Sequence, residues 1–241
     1  MNLWLRRFLL WSLIVLVFPA SAAVWDDPSS ELWKRYNVTV ADSAVYRHEN
    51  LRRLHPLKFD PQTFTTTVVT LTNYAYPAGV QTLSRAVWVT AVPEVQEKCT
   101  KFPDADLAMR LRQLVGLQPD AKFQYFVTMT VRSSDIFRPA TDPTTTIEWP
   151  CSDSTQATCG EVFPNWVSSD HVSWIANQML TSYVISAEHN GAYSYPWTRL
   201  GYTYDWKPGA DRYGASEYVI RPGSVVNVTD KKAFSNYCGR N

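Results

Sequence analysis

The stretch DADLAMRLRQLVGLQPDAKFQYFVTMTV, from Asp104 to Val131, changes its hydrophobic period halfway along. In its first half Leu107, Leu111, Leu114 and Val115 recur at helical spacing behind Asp104, whose short carboxylate side chain suits an N-cap, and Gly116 stops the pattern. From Lys122 onward the apolar residues alternate instead, as Phe123, Tyr125, Val127, Met129 and Val131, the signature of a half-buried strand. A helix that hands over directly to an alternating strand sets the class to look for on either side.

Towards the N-terminus, Phe64 to Thr72 is dense in Thr and Val, and Ser84 to Val92 alternates about Val87 and Val89, so both predict strands. Tyr76-Pro77-Ala78-Gly79 supplies the turn between them. Asp27-Pro28 followed by Leu32, Trp33 and Tyr36 predicts a short helix over 28–36, and Ala44, His48, Leu51 and His55 predict a second over 42–54, ended by Pro56. Towards the C-terminus, Asp170 is read as the cap of a helix over 171–184 that buries Val172, Ile175, Ala176, Met179 and Tyr183. Glu217 to Arg221 and Ser224 to Thr229 read as extended, with the turn pair Pro222-Gly223 between them. Residues 133–164 form a long loop rich in Pro, Ser and Thr. Helices scattered among antiparallel-looking strands, without regular βαβ alternation, predict an α+β fold: a mostly antiparallel sheet with three to four helices.

The first 22 residues are expected to be an export signal rather than part of the fold. Arg6 and Arg7 precede an apolar run from Phe8 to Phe18, and Pro19-Ala20-Ser21-Ala22-Ala23 offers small residues for cleavage, here placed after Ala22. The run is shorter than the roughly 20 residues a membrane span requires, so no stable membrane anchor is expected after cleavage, and residues 23–241 are read as a single exported domain, periplasmic or extracellular. The full chain of 241 residues carries 23 basic and 22 acidic side chains, and both arginines of the signal leave with it. A near-neutral chain lacks the phosphate-neutralising excess that nucleic-acid binding demands, so no nucleic-acid partner is expected.

An even number of cysteines in an oxidising compartment reads as disulfides. Cys151 and Cys159 bracket a short polar loop and are paired first, which leaves Cys99 to tie Cys238 to the body, although sequence alone leaves other connectivities open. No C-x-x-C or His-rich spacing accompanies them, so neither a metal nor another cofactor is expected.

The unusual segment is GAYSYPWTRLGYTYDWKPGADRYGASEY, Gly191 to Tyr218, which contains Tyr-x-Tyr-x-Trp twice: Tyr193, Tyr195 and Trp197, then Tyr202, Tyr204 and Trp206. A hairpin turning at Thr198–Gly201 would oppose Trp197 to Tyr202, Tyr195 to Tyr204 and Tyr193 to Trp206, with all six rings on one face and Asp205 on the other. Pro196, which lacks an N–H, restricts that hairpin to a sheet edge. Six such rings read either as core or as a stacking platform for an unknown glycan, peptide or protein ligand, with Arg199 and Asp211 among the charges at its rim.

Motifs for serine hydrolases, zinc proteases, P-loops and dinucleotide folds are all missing from the sequence. Of the groups near the aromatic segment, His189, Glu188 and Glu217 are the candidates for acid–base chemistry. The leading expectation is therefore an exported binding or accessory domain working through its aromatic hairpin. A cell-envelope or extracellular hydrolase and a structural component of an envelope assembly are the alternatives, and whether the protein is an enzyme stays open.

Overall fold

A computed structural model describes residues 29–186 and 192–240. The predicted signal and the Asp27-Pro28 cap lie outside them. The class is α+β, as the period change at Gly116 implies. Its centre is an antiparallel sheet in the order β2-β10-β4-β1-β3-β9-β5, with β8 paired to β9 off that path. The strands are β1 (Thr65–Thr72), β2 (Gly79–Thr82), β3 (Val87–Ala91), β4 (Tyr125–Arg132), β5 (Ile136–Phe137), β8 (Tyr202–Tyr204), β9 (Tyr213–Ile220) and β10 (Val225–Ala233). A separate ribbon pairs β6 (Ile185–Ser186) with β7 (Ala192–Tyr193).

Alternation along the strands divides the core in two. Val68, Val89, Met129, Tyr218 and Val226 pack on one face, beneath Leu57 and Phe59 from an irregular segment. Val69, Phe126 and Ala215 face the other way, against α2 (Glu94–Cys99), α3 (Leu107–Leu114) and α5 (Phe234–Tyr237). Because β4 is covered on both sides, Phe126 is as buried as Val127. Both disulfides pair as the sequence favoured: Cys99–Cys238 fastens α2 to the residue after α5, and Cys151–Cys159 closes a short loop. These bonds suit an oxidising environment, and among the described residues no helix is long and apolar enough to cross a membrane.

Several elements differ from the sequence reading. α1 runs Glu31–Ala44, with the Ser30 hydroxyl accepting the Trp33 N–H at 3.4 Å. The separate helix expected over 42–54 does not form; α1 takes its first three residues, and beyond them there is a single 3-10 turn, His48–Asn50. There the Leu54 and Leu57 N–H groups donate to the carbonyls of Glu148 and Thr145, at 2.6 and 2.8 Å, so the backbone is satisfied by the long loop rather than by its own turns.

α4 (Ser169–Tyr183) is capped by Ser168, not Asp170. Its buried face is also rotated from expectation: His171, Ile175 and Ser182 are covered, whereas Val172 and Ala176 point outward. Three rings account for the rotation, since His171 and Trp174 lie 5.4 and 4.8 Å from Phe137 of β5, and seating them turns Val172 away.

The loop over 133–164 is irregular apart from a 3-10 turn, Ser133–Asp135, and β5, and is organised by buried charge. Arg138, fully buried, donates to the carbonyls of Trp149 and Ile147 at 2.8 and 2.5 Å. Asp142, also fully buried, accepts from the Thr144 N–H and the Ser152 hydroxyl.

Candidate functional site

The twin aromatic triplets do not form one hairpin. Tyr193 pairs with Ile185 in the small ribbon, Trp197 bridges to Thr203, Tyr202 pairs with Ser216 and Tyr204 with Tyr213. Two features redirect the chain. Arg199 and Gly201 both take positive φ, 59° and 79°, so the link between the triplets is not a simple strand-extending turn. Gly214 of β9 then lets the second triplet come close: a Cβ at that position would lie 2.1 Å from the Leu114 carbonyl and 2.2 Å from the Thr203 hydroxyl. The ladder that Pro196 could not supply is thus provided by β9.

The five described rings consequently part company. Trp206 packs edge-on against Tyr36 at 5.6 Å and donates its indole N–H to the Leu117 carbonyl. Tyr202 lies against Tyr213 and donates to the Asn50 carbonyl. Both are core. Tyr204, Trp197 and Tyr195, by contrast, converge on one cavity of about 270 Å³.

The floor of this cavity is the sheet and its wall is α4. Glu217 is placed by two pairings of β9: it lies opposite Thr90 of β3, and its N–H donates to the Gly201 carbonyl at 2.9 Å. Trp88 enters from β3 and Gln178 and Ser182 from α4. The segment carrying Tyr195 and Trp197 is pinned from several directions. The Tyr36 hydroxyl and the Gln118 amide both donate to the Ser194 carbonyl, the Tyr195 N–H donates to the Ser182 carbonyl, and the Tyr183 hydroxyl donates to the Trp197 carbonyl. Trp197 is buried, its ring 6.1 Å from Trp88 and 6.0 Å from Trp174 at steep angles, while Tyr195, 45% exposed, stands at the mouth.

Glu217 is the chemical centre of the cavity. It is 6% exposed, and among the described residues neither its Oε1 nor the indole Nε1 of Trp197 meets a partner at full hydrogen-bond geometry. Burial pushes its carboxyl up to about 8, opposed only by the nearby Trp197 indole. At neutral pH the group is therefore mostly the uncharged acid. The surrounding phenols are also held neutral, burial raising those of Tyr183, Tyr202 and Tyr204 above their usual value. Among the described lining residues Glu217 is the one carboxyl.

Other sequence candidates lie elsewhere. Asp211 is exposed and pairs with Arg52 at 3.0 Å. Arg199 donates to the Ala44 carbonyl and stands 5.9 Å from the Tyr183 ring, outside the cavity lining. Asp205 forms a buried bidentate pair with Arg110, at 3.0 and 2.5 Å. Glu188, His189 and the Tyr193 side chain lie outside the described residues. Sequence reading missed Trp88, Gln178 and Ser182; the alternation of Val87 and Val89 already put Trp88 on the opposite face, the one signal that pointed to it.

No family model matches the chain, and no curated protein or solved structure matches it either.

Proposed function

We propose that this protein is an exported binding module, periplasmic or extracellular, which captures a small group of its glycan, peptide or protein partner in the cavity rather than on a flat aromatic surface. One observation carries this reading: a buried carboxyl, Glu217, whose Oε1 accepts no hydrogen bond among the described residues, lines a space walled by Trp88, Trp197, Tyr195 and Tyr204. Leaving a buried polar group without a partner costs about 1–3 kcal/mol, a cost a ligand removes when it supplies the partner. Apolar walls with a few convergent polar groups are the usual make-up of a ligand site.

The test is a fragment screen read by the indole N–H resonances of Trp88 and Trp197, repeated on Gln178→Trp. Gln178 is half-buried on α4, so a large ring there fills the mouth without breaking a helix. Fragments are expected to shift both indoles in the natural protein and neither in the variant. The proposal fails when no fragment moves them, or when the shifts survive in Gln178→Trp.

A further inference from the structure

Resting on the cavity as a binding site, we infer that its ligand is an organic cation, an ammonium or quaternary ammonium group on a short apolar stem, with Glu217 as counter-charge and Trp88, Trp197 and Tyr195 as aromatic walls. The first support is what Glu217 lacks. Two other buried acids of the fold have cationic or polar company: Asp205 holds Arg110, and Glu94 accepts from the Tyr213 hydroxyl and the Ser216 N–H with Lys98 4.0 Å away. Among the described residues Glu217 has no basic side chain against it, Oε1 accepts no hydrogen bond, and the Trp197 indole is the polar group nearest to hand.

The described side chains that line the space around Glu217 are uncharged. Thr90 faces it from β3, Gln178, Ser182 and the neutral phenol of Tyr183 from α4, Tyr195 and Trp197 from the pinned segment, and Thr203 and Tyr204 from β8. Arg199 lies near the Tyr183 ring, its guanidinium bonded to the Ala44 carbonyl. Among the described residues lining this space, none would compete with an entering cation by its own positive charge.

The walls select the same class. The negative faces of Trp and Tyr attract cations, most strongly where water is excluded, and aromatic cages recognise quaternary ammonium groups in this way. At about 270 Å³ the space suits a head group and a short stem, not a whole oligosaccharide.

Binding such a cation requires the ionised carboxylate, so one proton passes from Glu217 to solvent as the cation enters. Only the ionised fraction is competent, and with a carboxyl near 8 that fraction is roughly one hundredth at pH 6, one tenth at pH 7 and one half at pH 8. Affinity for a permanently charged probe should therefore rise about tenfold per pH unit between 6 and 7, less steeply towards 8, and level off above it.

The experiment titrates choline and its uncharged isostere 3,3-dimethylbutan-1-ol into the protein at pH 6, 7, 8 and 9 by calorimetry. Repeating pH 7 in buffers of different ionisation enthalpy counts the protons released. Choline is expected to show the stated rise and release close to one proton at pH 7, with the alcohol at least tenfold weaker at pH 8 and indifferent to pH. Glu217→Gln, whose amide matches the uncharged acid in shape, should melt like the natural protein at pH 5 and lose both choline binding and proton release. Choline affinity that is flat or falls with pH, equal binding of the alcohol, or retention in Glu217→Gln each overturn the inference. If the alcohol or N-methylacetamide shifts the Trp88 and Trp197 indoles while choline does not, the cation is wrong and the cavity reading stands; if no probe of any class shifts them, both fall.

Discussion

Replacing Glu217 by Gln is expected to remove most of a stability loss that the natural protein suffers as the pH rises from 5 to 8. The unfolded carboxyl titrates near 4.5 and the folded one near 8, so between those values the folded state holds the proton more tightly. Stability from this group is complete below the unfolded value and is lost as the pH climbs through the window towards the folded one. Integrated from pH 5 to pH 8, the loss is about 3–4 kcal/mol, and the group is too deeply buried for solvent to screen much of it. With a denaturant slope of roughly 2–3 kcal/mol/M, that is a fall of about 1–2 M in the urea midpoint. Gln cannot ionise. At pH 5 the two proteins should agree within about 1 kcal/mol, since an uncharged acid and an amide make similar demands; by pH 8 the variant should be the more stable. His171, whose pKa burial lowers, costs stability as the pH falls below its unfolded value of 6.5, but both proteins carry it and it cancels in the difference. Urea unfolding at pH 5, 6, 7 and 8 reads the result. Parallel profiles for the two proteins would refute the assignment of a buried, proton-bearing carboxyl.

Arg110→Ala strands the Asp205 carboxylate, 4% exposed, and should cost about 3–5 kcal/mol in chemical denaturation, whereas Arg52→Ala, whose partner Asp211 is 69% exposed, should cost about 1 kcal/mol or less. Removing the Cys99–Cys238 bond, which spans 139 residues, should destabilise by about 5 kcal/mol against about 2.5 for Cys151–Cys159, which spans 8, as read from paired Cys→Ser variants. Gly214→Ala has no space for its methyl group against the Leu114 carbonyl and the Thr203 hydroxyl, and should lower the melting temperature by more than 5 °C; an unchanged melt would show that β8 does not pack where described.

Much of the framework can be read directly from residue patterns. The Thr/Val run of β1, the alternation of β4 and the order of the cysteines all carry local signals, and each was answered in place. Helical spacing misled where long-range partners outbid it. Leu51 and His55 match a helix face, yet the loop carbonyls of Glu148 and Thr145 claim the N–H groups of Leu54 and Leu57. On α4 the apolar count favoured Val172 and Ala176, while the flat rings of His171 and Trp174 found better partners on β5. The candidate site was legible residue by residue, in Tyr195, Trp197, Tyr204 and Glu217, but not as an arrangement. Period-two spacing implied six rings on one hairpin, because nothing near Trp197 reveals that β9 will be the partner of Tyr202.

The sheet order bears on how the molecule can be made. β9 and β10 leave the ribosome after the other strands of this sheet, yet neither takes an outer place: β10 lies between β2 and β4, and β9 between β3 and β5. They are consecutive in the chain and still have β4, β1 and β3 between them. Until residues beyond 225 have been synthesised, β2 has no neighbour in the sheet and β4 presents an open edge. Such non-local pairing folds slowly. A partly translated chain thus cannot close its sheet, and its open strands are exposed to pairing with other chains over the same interval.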